Sequence, residues 1–242
     1  MSRMRRATAT LARATLIAVL ALGTPPPDPG SAARAQTAPA AAPEAPRDAA
    51  VWARQQFPEG VPWAEARALD AHGVERLAAL LRDPAEGEAH ANVVMALGIH
   101  GHPTAWPALS EFAARAPRGE VSSAAYRARL ALPIAMGHLA RADPRALARL
   151  LARVRGGPTE PGWSHRGLRG DRLGRLLWRT AVTGLALSGT HAAAAEIAQR
   201  LGAGAPDAET GRHLEASRRL CERVAREGAA AVVGGERPDS TP

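Results

Sequence analysis

Residues 77–115 read LAALLRDPAEGEAHANVVMALGIHGHPTAWPALSEFAAR, and the spacing of apolar residues in and around this stretch decides the fold. Val74, Leu77, Leu80 and Leu81 step by threes and fours, which puts them on one stripe of a helix predicted over residues 74–82. Asp83-Pro84 ends it, because proline opens a new element more readily than it continues an old one. A more apolar helix is predicted over residues 89–99, closed by Gly101, which can take the positive φ of a helix C-cap. Trp106, Leu109, Phe112 and Ala113 then mark a narrow stripe over residues 104–115.

Working outward, the same alternation of narrow and broad faces continues. Leu147, Leu150, Leu151 and Val154 lie opposite Arg145, Arg149 and Arg153 over residues 144–154, where Asp143-Pro144 supplies an N-cap and a first-turn proline. Ala194, Ile197, Ala198 and Leu201 define another narrow stripe over residues 190–201. Broad apolar faces over residues 121–140, 171–187 and 210–226 suit helices covered on two sides. Pro133 is expected to kink the first of these. Residues 48–57 and 63–69 carry weaker helical signals. No alternating run of β-branched residues argues for a sheet. The composition agrees: 46% of residues are hydrophobic, led by alanine, and only 3% are aromatic, a balance suited to small helix interfaces.

The segment 96–103, Ala-Leu-Gly-Ile-His-Gly-His-Pro, recurs as Ala135-Met136-Gly137-His138-Leu139 before Asp143-Pro144, and more faintly from Gly184 to His191. The offsets, about 40 and then about 48 residues, fall in the range of helix-pair repeats. The insertion at residues 155–170 accounts for the longer one. Through Asp83, Ala96, Leu97, Gly98, Gly101, Pro103, Pro107, Ala108 and Leu109 the opening stretch resembles a HEAT-like repeat of the armadillo-type α-solenoid superfamily. The small residues have a physical role, since Ala96 and Gly98 let neighbouring helices approach. The resemblance implies an all-α chain, an α-solenoid of about four antiparallel helix pairs with a continuous core and an extended binding surface.

The N-terminus reads as an export signal. Arg3, Arg5, Arg6 and Arg13 precede an apolar core of about nine residues, too short for the roughly 20 of a membrane-spanning helix, and Ala33-Arg34-Ala35 offers a cleavage site. The expected organisation is a signal peptide over residues 1–35, an Ala/Pro-rich linker over 36–47, the helical domain over 48–230 and a tail over 231–242. Cleavage after Ala35 would leave a periplasmic or secreted protein with no transmembrane segment. It would also remove five arginines and one aspartate, leaving 26 arginines against 22 acids, so that the net charge falls from +8 to +4. The basicity is therefore partly a property of the signal, and nucleic acid is not an expected partner. Every strong cation is arginine, since the chain contains no lysine.

Arg166, Arg169, Arg172, Arg175 and Arg179 step by threes and fours through the insertion into the next helix, near Trp163 and Trp178. Their forked donors pair well with carboxylates or phosphates, so they form the candidate binding stripe, for an acidic protein surface or an anionic polymer; a solvated face is the plainer reading. A long loop in a compact helical domain is itself a candidate binding element. His100, His102, His138 and His191 lie near helix-ending turns, where two imidazoles could share a metal or, more simply, cap carbonyls. No His-Glu dipeptide occurs, so the resemblance does not extend to the HEAT-like iron hydroxylases. The lone Cys221 excludes a disulfide within one chain and reads as a buried thiol. Residues 162–167, Gly-Trp-Ser-His-Arg-Gly, miss the spacing of a nucleophile elbow, and no preceding strand is predicted. Acids such as Glu86, Glu88, Glu111 and Glu196 are scattered over helix faces. The expected function is an exported, non-enzymatic scaffold or adaptor that binds another protein through its helical surface and the 155–170 loop, with no cofactor. The alternative is an enzyme of lyase or hydrolase type on a HEAT-like scaffold, as in phycobilisome-lyase-type repeats, with its site in the concave groove.

Overall fold

The computed structural model describes residues 45–234 except residue 47. The expected signal peptide, most of the linker and the tail beyond 234 lie outside the described residues. Those described are all-α, with eleven helices and two strands of two residues each. In chain order the helices are α1 (Ala49–Ala53), α2 (Trp63–Ala68), α3 (Ala71–Arg82), α4 (His90–His100), α5 (Ala105–Ala114), α6 (Ser123–Leu139), α7 (Pro144–Arg155), α8 (Gly170–Leu187), α9 (His191–Gly202), α10 (Ala208–Glu227) and α11 (Ala229–Val233). None is long and apolar enough to cross a membrane.

Short polar side chains start most of the longer helices by accepting from N–H groups that have no partner within the helix. Asp70 accepts from Gly73 N at 2.6 Å, Ser122 from Ala125 N at 3.1 Å, Asp143 from Arg145 N at 2.9 Å, Thr190 from Ala193 N at 3.2 Å and Asp207 from Thr210 N at 2.7 Å. Gly101 caps α4 at φ +75°, a conformation that disfavours any residue with a Cβ. α6 runs through Pro133 as one element. α11 extends past residue 230, the expected end of the helical domain, after Gly228 at φ +85° interrupts α10.

The broad-faced helices pack in succession, α4 on α6, α6 on α8 and α8 on α10, while the narrow-faced α3, α7 and α9 lie against neighbours in that row. At the seams backbone meets backbone. A Cβ on Gly98 would strike the Ala135 main chain, one on Gly137 the carbonyl of Gly184, and one on Gly184 the carbonyl of Pro133. The glycines of the sequence repeat thus set how close the central helices come. Around them Leu77, Leu81, Leu97, Leu109, Leu139, Leu150, Leu173 and Leu185 are fully buried, each contributing about 2 kcal/mol of transfer free energy.

The two strands, β1 (Gly119–Glu120) and β2 (Trp163–Ser164), pair in parallel. Two residues are too few to show alternation, so composition and periodicity gave no sign of them.

Candidate functional site

The insertion is fastened at its centre. Gly119 N donates to Gly162 O at 3.3 Å and Val121 N to Ser164 O at 2.9 Å, tying the α5–α6 connection to the insertion. His165 Nδ1 donates to Val121 O at 3.0 Å, and its ring stacks on Tyr126 of α6 with centroids 4.4 Å apart. Glu120 accepts from Ser164 Oγ at 2.6 Å and from the backbone N–H of Arg166. Arg166 is the one non-glycine residue at positive φ, +47°, among the described residues. This turn is closed by reciprocal bonds between His165 and Leu168 of 3.0 and 2.9 Å, which help offset the order of 1 kcal/mol that a left-handed L-residue costs.

The fastened insertion carries Trp163, 8% exposed, into a cavity of about 230 Å³. Leu132, Pro133 and Met136 of α6, Leu150 of α7, and Leu177 and Ala181 of α8 line its apolar part. Ala113, Ala116 and Pro117 close the α5 side. The cavity lies where the outer helices stop touching: α3 lies against α5, but neither α5 with α7 nor α7 with α9 makes a comparable contact. Arg129, Arg149 and Arg153 supply its charge. Arg129 donates to Phe112 O at 2.9 Å and to Arg115 O, and its guanidinium lies 4.3 Å from the centroid of the Phe112 ring. Burial, with the Arg115 charge adding to it, pushes the Arg129 guanidinium down to about 10. Arg153 donates to Gly157 O at 2.6 Å, and burial lowers it too.

The five arginines of the sequence stripe separate. Arg166 sits in the left-handed turn and Arg169 at the N-cap of α8; both are exposed, as is Arg172. Arg175 and Arg179 line a second cavity of about 150 Å³ with Trp178, Arg200 and Leu214. There Arg179 is paired with Glu209, and its carbonyl accepts from His213 Nε2 at 2.9 Å. The first cavity's arginines are a different set. Arg149 is exposed and Arg153 half-buried on either side of Leu150 on α7, and Arg129 stands out in sequence only as a charge inside a broad apolar helix.

The turn histidines also take separate roles. His100 Nε2 donates to Leu69 O at 2.9 Å, and His102 Nδ1 meets Thr104 Oγ1 at 2.9 Å. His191 is exposed. His138 is buried edge-on against Trp63 at 4.8 Å, and neither ring nitrogen has a hydrogen-bond partner. Burial pushes it down to about 4, so it is neutral near pH 7. Among the described residues no group of three or more His, Cys, Asp or Glu side chains could hold a metal ion. Ser164 and His165 turn to different partners, Glu120 and Val121, and form no nucleophile–base pair. Cys221 is buried and its thiol is raised by desolvation.

Comparison with known proteins finds no matching family model, no matching curated protein and no matching solved structure.

Proposed function

We propose that this chain is an exported, non-enzymatic helical-repeat protein of the HEAT-like kind, acting as a scaffold or adaptor that binds another protein at the surface around residues 155–170. The observation that carries this reading is the fastened insertion: the β1–β2 pairing and the Tyr126–His165 stack hold a sixteen-residue excursion as a wall beside an open cavity. A preorganised surface loses less entropy on binding than a free loop does. The repeating glycine seam and the alternation of broad and narrow helices support a solenoid of about four helix pairs. Export rests on the N-terminal sequence, and sequencing the exported protein should find Gln36 at its start.

The test is site-specific photo-crosslinking in an extracytoplasmic extract of the host. A benzoylphenylalanine placed at exposed Arg118 or Arg169, beside the insertion, should give one discrete protein adduct that the same probe at exposed Arg76 on α3 does not give. Replacing residues 158–168 by a short Gly-Ser linker should abolish it. Adducts of equal yield from Arg76, or none from either insertion position, would overturn the proposal.

A further inference from the structure

The cavity between α5 and α7 has a chemical bias that a generic docking surface lacks. Its floor and walls are apolar: Leu132, Pro133, Met136, Leu150, Leu177 and Trp163. Its charged lining is arginine alone, at positions 129, 149 and 153, with no carboxylate in the lining. Among the described residues no acidic side chain pairs with any of the three; the ion pairs of this protein's other arginines lie elsewhere. Arg129 uses two of its five N–H donors on the Phe112 and Arg115 carbonyls, and Arg153 uses one on Gly157. Donors and positive charge are left over on both. A partly buried cation without a counter-charge is unfavourable, and an anion entering the cavity would relieve it.

Size narrows the class. Pockets for drug-sized ligands run to roughly 300–1,000 Å³, so about 230 Å³ takes one apolar group the size of a large side chain. A bare inorganic anion would leave the apolar floor uncovered, and a neutral apolar group would leave the guanidiniums unmatched. We infer that this cavity binds an organic carboxylate bearing a single compact apolar group, the group lying over Leu132, Met136 and Leu177 and the carboxylate meeting Arg129 and Arg153. Two sources present that chemistry, a free carboxylic acid and the apolar C-terminal residue of a polypeptide. The inference rests on the reading that the surface beside the insertion is where the chain binds, and it narrows what that surface accepts. Guanidinium forks supply the paired donors that a carboxylate's two oxygens accept.

The experiment is titration calorimetry on the exported protein with N-acetylleucine, N-acetylleucinamide, octanoate and acetate. N-acetylleucine should bind. Its amide, which lacks the charge, and acetate, which lacks the apolar group, should each bind at least tenfold more weakly. Raising the salt should weaken the N-acetylleucine complex. Arg153→Gln, which keeps a donor and removes the charge, and Leu177→Trp, which fills the space, should each reduce its affinity at least tenfold. Circular dichroism and the unfolding midpoint should confirm that both variants remain folded; if Leu177→Trp does not, Arg153→Gln and the amide decide. Equal binding of acid and amide, binding indifferent to Arg153→Gln, or no heat from any probe at millimolar concentration would overturn the inference. Stronger binding of octanoate than of a peptide ending in a free leucine would assign the site to free acids, and the reverse order to chain termini. Acid binding without a photo-adduct at Arg118 or Arg169 would keep this inference and remove the scaffold reading. An adduct without acid binding would do the opposite.

Discussion

The central row α4, α6 and α8 and the outer row α3, α5, α7 and α9 are joined by different physics. In the central row the limit of approach is main chain, because Gly98, Gly137 and Gly184 leave no side chain between neighbouring helices. Across the outer row the links include ion pairs, Arg82 with Glu111 between α3 and α5 at 2.8 Å and Arg155 with Glu196 between α7 and α9 at 2.7 Å. A main-chain contact cannot rotate away, whereas a side-chain contact can be replaced by water. The gap that becomes the candidate site opens in the outer row, between α5 and α7, and the insertion walls it. The seam fixes geometry, while the outer row is free to open a cavity.

A side chain placed in the seam has the largest expected effect. Gly137→Val should lower stability in urea unfolding by about 4 kcal/mol or more, because neither the new side chain nor the Gly184 carbonyl can move aside. Gly202→Ala, at the exposed end of α9 with open space around it, should be neutral or stabilising by up to about 1 kcal/mol. Equal effects at the two positions would contradict the seam.

His138, which follows Gly137 on the same helix, gives the next largest effect. Its folded-state value, about 4, lies below the ordinary 6.5, so below 6.5 the unfolded chain binds the proton and the folded chain does not. The stability it confers is complete above about pH 6.5 and is lost progressively towards pH 4, on the order of 3 kcal/mol in all. His138→Leu should flatten most of that acid limb in unfolding curves taken across pH. A smaller slope should remain from His100 and His213, which burial also lowers.

The outer row should respond more weakly. Burial alone would raise the Glu196 carboxyl, but bonds from Arg155 and Arg200 outweigh it and hold it below its usual range. Glu196→Gln should cost about 2 kcal/mol in urea unfolding at neutral pH, since two charge-assisted bonds weaken while both arginines keep access to water. Smallest of all, Glu111→Gln should leave the unfolding midpoint unchanged, because that pair is about half exposed on both sides.

Much of the fold was legible because it is local. Steps of three and four located the long helices within a few residues. Asp143-Pro144 and Gly101 marked their ends, and Gly98 and Gly137 stand where neighbouring helices come closest. The candidate site was legible only as a place: the insertion stands out as a long loop between helices, but the pairing of residues 119–120 with 163–164 joins segments more than 40 residues apart and leaves no periodic trace. For the same reason Arg129, Arg149 and Arg153 could not be grouped. Their meeting depends on the gap between α5 and α7, and on α7 alone the spacing of the last two sets them only on the side away from the leucines. The stripe from Arg166 to Arg179 followed helical spacing, but its first residue lies in a turn at positive φ, where that spacing has no meaning.

Amide hydrogen exchange on the protein separates seam from surface, because it reports local opening along the chain. The amides of α4, α6 and α8 should exchange slowest, those of α3, α5, α7 and α9 faster, and those of Val121 and His165 should be protected well beyond free-loop rates. Uniform protection across the two rows, or free-peptide exchange at Val121 and His165, would contradict a rigid glycine seam carrying a fastened insertion.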